Sequence, residues 1–338
     1  MTWLIWRQHR YEILAMLLGA AFIAIGLLYG ADFVPRIRAE LGVDTCRPLP
    51  TAIANCAILN TQASDLAQPF RWLVLSLFFV PAVVGSFVGG PLFSRDLERG
   101  TNRLVWTQSI TRLRWSVTKL LSILGIGVVA AALIASVGGR ASVINGVQPY
   151  RFEQSVSYFA VATSVPINPF QNFDFEGPAF VGYVLFAIAI AAFVGTLSRR
   201  ILVGMFGGLL LFGVVRLGVY ELRPNYESPL AVVYSAATPT PQAEVPAGAW
   251  VVRADYVDTE GRVVPQERVR TLLNDSYRPL PPRFDTLAYM AENGALQRVQ
   301  YQPAERYWRF QWTEGLLFFT LTIGFSAAAL TLLKRRDA

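Results

Sequence analysis

Six long apolar runs constrain this chain more than any other feature. They cover residues 13–29, 72–93, 120–137, 179–198, 201–220 and 315–333, each close to the roughly 20 helical residues that cross a hydrocarbon core. Lipid offers the backbone no hydrogen-bond partners, so such runs must satisfy their own amides as helices. The expectation is an all-α integral membrane protein with six transmembrane helices and sizeable mixed extracellular loops. Composition agrees, with 53% hydrophobic residues, 16% charged residues and a mean hydropathy of +0.39, values foreign to an ordinary soluble domain. Arg7, His9 and Arg10 precede the first run as they would in a cleaved signal. No small-x-small pattern follows closely, and five further spans need an anchored start, so the run is read as retained.

Six spans place both termini on one side, and basic residues identify the side. One set of span ends carries thirteen Lys and Arg against four acids, whereas the opposite set carries 16 Arg against 19 Asp and Glu. This asymmetry predicts a multi-pass protein of the cell inner (plasma) membrane with both termini cytoplasmic. It also explains the basic pI of about 9.6 through topology and anionic lipid headgroups, without nucleic acid as a partner.

The remaining segments follow. Residues 1–12 place Trp3 and Trp6 beside Arg7 and Arg10, which suits a short helix in the inner interface. The single histidine, His9, has no second metal-ligating residue nearby and is read as solvated. Residues 31–70, 138–177 and 221–312 lie outside, and 334–338 form a cytoplasmic tail. Cys46 and Cys56 fall in the first outside segment, where a disulfide is permitted, although two unpaired residues satisfy the sequence as well. In 221–312, Trp250, Tyr256, Tyr289, Tyr301, Tyr307 and Trp308 call for burial in folded structure. Residues 249–257, the turn at 258–261 and residues 262–264 read as a hairpin.

Within the spans, Gly85 and Gly89 in the second and Gly204 and Gly208 in the fifth stand four apart. That spacing lets helices approach closely in lipid, and is equally met by glycine as filler. Pro81 should kink the second span, making a glycine-lined helix that could serve as a moving wall of a pathway. Arg216 is the one ionised group inside a predicted span; snorkelling to the outer interface is favoured over binding an anionic substrate.

No G-x-x-x-x-G-K-[ST] phosphate loop occurs, no Ser, His and Asp set forms a triad, and no metal-ligand cluster is spaced for binding. Asp174 with Glu176, and Asp255 with Asp258, are read as solvated loop acids. The expectation is a chain that is not itself an enzyme and holds no cofactor. The segment 94–119 is distinctive instead. It leaves the second span with both signs of charge at Arg95, Asp96, Glu98 and Arg99, turns amphipathic at Leu104, Val105 and Trp106, and re-enters the membrane past Arg112, Arg114 and Trp115. It suits docking into a cleft of a soluble partner, and also suits a plain basic loop obeying the positive-inside rule.

Asp96, Glu98, Gly100, Thr101, Leu104, Thr107, Ser109, Thr111 and Lys119 resemble the first cytoplasmic loop of ABC-2 type ABC-transporter permeases. Residues 2–10, 98–109 and 301–312 are similar to blocks of the single-domain permeases common in actinobacteria. The resemblance implies a type V exporter fold and a permease that pairs with a second copy or paralogue. Two separately encoded ATPase subunits would bind ATP and Mg. Residues Arg95, Asp96, Glu98, Arg99, Gly100 and Thr101 would form the coupling helix seated in each ATPase. Export of drugs, antibiotics or lipids, as in multidrug efflux, is the implied activity. The length of 138–177 departs from the family pattern. A mechanical transmission device acting on an extracellular partner is the competing reading, and an intramembrane enzyme a third that lacks the necessary cluster of acids or histidines.

Overall fold

Apolar helices dominate the chain, and the irregularities among them fall where proline and glycine interrupt the hydrogen-bond ladder. In the computed structural model, residues 2–43, 53–100, 111–145, 168–234, 245–246, 248–276 and 286–335 are described. In chain order the elements are α1 Thr2–Glu40, α2 Ile53–Ser76, α3 Val80–Val84, a π-helical turn Gly85–Gly89, α4 Pro91–Glu98, α5 Arg112–Gly138, α6 Ala141–Asn145, α7 Gly177–Ser198, α8 Ile201–Leu222, β1 Leu230–Tyr234, β2 Trp250–Val257, α9 Gln266–Ser276, α10 Thr286–Glu292, β3 Leu296–Gln302 and α11 Tyr307–Arg335. They fall into two compact units, one of residues 1–147, 171–221 and 309–338, the other of 148–170 and 222–308.

Among the described residues five helices are long and apolar enough to cross a membrane, within His9–Glu40, Leu113–Gly138, Pro169–Ser198, Ile201–Asn225 and Ala304–Arg335. A sixth crossing exists only if Ile58–Ser76 and Val80–Glu98, bent by 51° at their junction, count as one broken span. The break lies immediately before Pro81. Its missing N–H cannot bond the Leu77 carbonyl, and the chain tightens to short-range bonds from Leu77 to Val74 and from Phe79 to Ser76. Pro91 acts similarly on the next turn, where the Gly90 N–H reaches back to the Gly85 carbonyl at 3.0 Å and closes a π-helical turn.

Helix α7 is the keel of this unit. Its run from Gly177 to Ser198 carries no Asp, Glu, Lys or Arg, and a helix that is apolar all round belongs inside. Sixteen of its residues are buried, and Phe186 packs against Phe212 of α8 and Phe318 and Phe325 of α11 at centroid distances of 5.3–6.0 Å.

Several boundaries differ from the sequence expectation. Residues 2–12 are the first turns of the continuous helix α1, not a separate interfacial helix. Much of 31–70 is helical, because α1 continues to Glu40 and α2 begins at Ile53; neither Pro35 nor Pro69 interrupts its helix. Cys46 and the side chain of Cys56 lie outside the described residues.

The second unit is an antiparallel sheet of order β1-β3-β2. Asp255 and Arg298 are directly opposed and joined by two bonds of 2.8 and 2.7 Å. Tyr256, Val264, Leu273, Met290 and Ala295 form its buried core with α9 and α10. The expected hairpin partner of β2 contributes a single bridge, Val257 to Val263. The real partner is the distant β3, whose alternation of Gln297, Val299 and Tyr301 toward the buried face is partly polar and hard to read. Tyr256, Tyr301 and Tyr307 are buried as expected, but Trp308 is exposed.

Candidate functional site

Helix α4 ends where the sequence changes from Leu92 and Phe93, both buried, to charged residues. Gly100 follows with φ of +69°, a left-handed conformation that terminates a helix and favours glycine. Three contacts then fix α4 to three other helices. Arg95 Nη1 lies 3.1 Å from Glu12 Oε1 on α1, and Glu12 also holds His9 Nδ1. Asp96 Oδ2 accepts from Lys119 Nζ of α5 at 2.6 Å, with the ammonium 5.0 Å from the Trp115 ring centre and 5.9 Å from that of Phe93. Glu98 Oε2 accepts from the Ile201 N–H at 2.9 Å, on the first residue of α8.

The Lys119–Asp96 pair is the strongest of these constraints. Lys119 is 2% exposed, and removing one member of a buried pair costs about 3–5 kcal/mol because it strands the other charge. The ring contacts add roughly 0.5–2 kcal/mol. Arg95, Asp96 and Glu98 thus spend contacts inside the chain, where the sequence suggested ion pairs to a partner. Arg99 is exposed, and Thr101 lies outside the described residues. Two members of the cluster were missed. Glu12 carried a signal, as the lone acid in the basic first turns of α1. His9 is 4% exposed, so the reading of a solvated histidine is corrected: the continuity of α1 places it one turn from Glu12 and against the bundle.

The glycine pairs occupy helix crossings. A Cβ on Gly89 would sit 2.4 Å from the Ile188 carbonyl oxygen, and one on Gly85 2.6 Å from that of Ala187. On α8, a Cβ at Gly208 would lie 2.5 Å from Ala191 Cβ and one at Gly204 2.7 Å from Gly195 Cα. Both pairs therefore seat their helices on α7, backbone against backbone. Pro81 is buried beside the break.

At the opposite end of the bundle Arg216 of α8 is not a snorkelling side chain. It pairs with Asp174, approaches Glu314 of α11 at 3.3 Å, and lies 4.0 Å over the ring of Tyr183, whose hydroxyl donates to Glu314 at 2.6 Å. Gln311 accepts from the Ala179 N–H at 3.2 Å and donates to the Phe173 carbonyl at 2.7 Å. The solvated reading of Asp174 is corrected with it, since its side chain is 13% exposed. Two carboxylates within contact distance favour pairing over a reach toward the interface.

The two clusters hold helices rather than present nucleophiles or acid–base pairs, and among the described residues no three His, Cys, Asp or Glu side chains are grouped to hold a metal ion. No curated protein and no solved structure matches the chain. The family model described as ABC-2 membrane transporter related matches residues 13–223, a stretch that contains the broken span, the charged segment after it and α7 with α8. The chain therefore belongs to the ABC-2 membrane transporter related family, as a multi-pass membrane transport subunit.

Proposed function

We propose that the chain is the permease subunit of an ATP-driven exporter of amphipathic or hydrophobic compounds, with both termini cytoplasmic. ATP and Mg are bound by separate ATPase subunits, two per complex, and the chain pairs with a second copy or a paralogue. The observation that carries this reading is the wiring of α4: one short helix, at the basic end of the bundle, is linked to α1 through Glu12, to α5 through Lys119 and to α8 through Ile201. A displacement imposed on such a helix is passed to three spans at once, which is what a coupling element must do.

The test is co-purification with a co-expressed candidate ATPase subunit, followed by mass and hydrolysis measurements. A two-plus-two assembly whose hydrolysis responds to the permease, and loses that response with Glu98→Ala, supports the reading. A chain that purifies without an ATPase removes it. The separately folded sheet unit favours a second reading, a mechanical device acting on an extracellular partner. Deleting residues 249–300 would abolish function under that reading, while Gly85 and Gly208 substitutions would be silent.

A further inference from the structure

The turn between α7 and α8 is two residues long, Arg199-Arg200, and Arg199 is the one non-glycine among the described residues with a positive φ, 57°. A left-handed helix end is the place where glycine is ordinarily found, because a Cβ is disfavoured there. The chain nevertheless carries arginine. The turn is held rigidly from both sides: the Arg199 N–H bonds the Gly195 carbonyl at 2.9 Å, the hydroxyl of Ser198 lies 3.4 Å from the Arg200 N–H, and Gly90, Gly195 and Gly204 meet backbone to backbone just behind it.

The Glu98 carboxylate on the Ile201 amide brings this turn beside the end of α4. Arg99, Arg199 and Arg200 are all exposed there, and none makes an ion pair among the described residues. Glu98, the acid beside the turn, is engaged with the backbone. We infer that Arg199 and Arg200, with Arg99, form a second contact surface for the ATPase subunit, fitting an acidic patch on it next to the coupling segment. The inference rests on the coupled-permease reading. Three guanidinium groups on a fixed backbone suit a protein surface of defined charge. Lipid headgroups, by contrast, bind exposed basic residues without needing them positioned.

The experiment measures the affinity of the purified ATPase for the permease in nanodiscs of phosphatidylcholine alone, and again with phosphatidylglycerol added. Arg199→Glu/Arg200→Glu is expected to weaken binding about tenfold or more in both lipids, and to remove most of the loss that added salt causes in the unaltered protein. Arg199→Gly/Arg200→Gln, which relaxes the turn while removing charge, should weaken binding in the same direction and covers the case in which the reversal does not fold. Unchanged affinity for a variant whose parent binds overturns the inference alone. A loss seen only with phosphatidylglycerol also overturns it, assigning the turn to headgroups. Failure of the unaltered chain to bind the ATPase overturns the coupled-permease reading beneath it.

Discussion

Replacing Arg216 by methionine separates a buried ion-pair network from a snorkelling arginine. The side chains of Arg216, Asp174 and Glu314 are 16%, 13% and 0% exposed, so the substitution takes the guanidinium away from two carboxylates, one wholly buried. Stranding a buried charge costs about 3–5 kcal/mol. Stability changes move a melting midpoint by roughly 2–4 °C per kcal/mol, so melting in mild detergent should fall by at least about 6 °C. Adding Glu314→Gln should recover part of the loss, because it neutralises the stranded group and keeps an acceptor for the Tyr183 hydroxyl. A single variant within about 2 °C of the parent, or a double variant no better than the single one, would refute the reasoning and return Arg216 to the interface.

Gly89→Ala should destabilise by about 1–3 kcal/mol through overpacking, since its new Cβ meets the Ile188 carbonyl at 2.4 Å. Gly213→Ala, which meets nothing within 4 Å, should be neutral or stabilise by about 0.5–1 kcal/mol; melting of both variants checks the contrast. Lys119→Met should raise hydrogen exchange across residues 91–98 about tenfold or more while leaving 266–276 unchanged, as local rather than global opening requires. In the turn after β2, bonds from the Arg262 backbone N–H, helped by those of its side chain and the Glu260 amide, hold the Asp258 carboxyl below its usual range. A lowered folded pKa means that this contribution is complete above the ordinary aspartate value of about 3.9 and is lost as pH falls through the folded value. Exchange of the 258–264 amides, corrected for intrinsic rates, should rise there, and Asp258→Asn should abolish that pH dependence.

The apolar runs were legible because hydrocarbon leaves the backbone one solution, and five of them are helices close to where composition places them. Proline was legible as a position but not as a shape: Pro81 marks a 51° break while Pro35 and Pro69 sit inside unbroken helices. Whether a freed carbonyl bends a helix depends on what packs against it, which a local reading lacks. The charged segment 95–100 stood out in the sequence, but its contacts did not. Its contacts run to Glu12, Lys119 and Ile201, and nothing in the spacing of residues so far apart announces which ends of which helices meet. Arg216 was flagged for the right reason, a charge inside a span, yet its counter-ions came from residues assigned to solvent and to a span boundary. The pairing of β2 with β3 was hidden likewise by its long-range register.

The two charged clusters share one helix, α8, and touch its opposite ends at Ile201 and Arg216; their difference bears on where the bundle can flex. At one end Arg216, Asp174, Glu314 and Tyr183 tie α8, α7 and α11 together; at the other, α4 is tied to α1, α5 and α8. Between them the glycines of the π-helical turn and of α8 press on α7 so closely that a methyl group does not fit. A helix so seated cannot slide without breaking backbone contact, which argues against the glycine face of the second span as the moving wall. The break at residues 77–79, with tightened bonds on its α2 side and Pro81 on the other, carries no such glycine contact: Leu77 is buried and Phe78 meets Phe175 edge-on at 4.6 Å, while Phe78 and Phe79 are exposed. On the proposed coupling role of α4, a push on it would be passed through α3 and the π-helical turn to that break, and the angle between α2 and α3 is the coordinate expected to change. Cysteines placed one on each side of the break, at Leu75 and Val83, and spin-labelled for distance measurement, should report a nucleotide-dependent change in the complex. Labels at the exposed Phe87 of the π-helical turn and Leu197 of α7, which flank the seated contact without entering it, should stay fixed; movement there with an unchanged break angle would invert the assignment of hinge and seat.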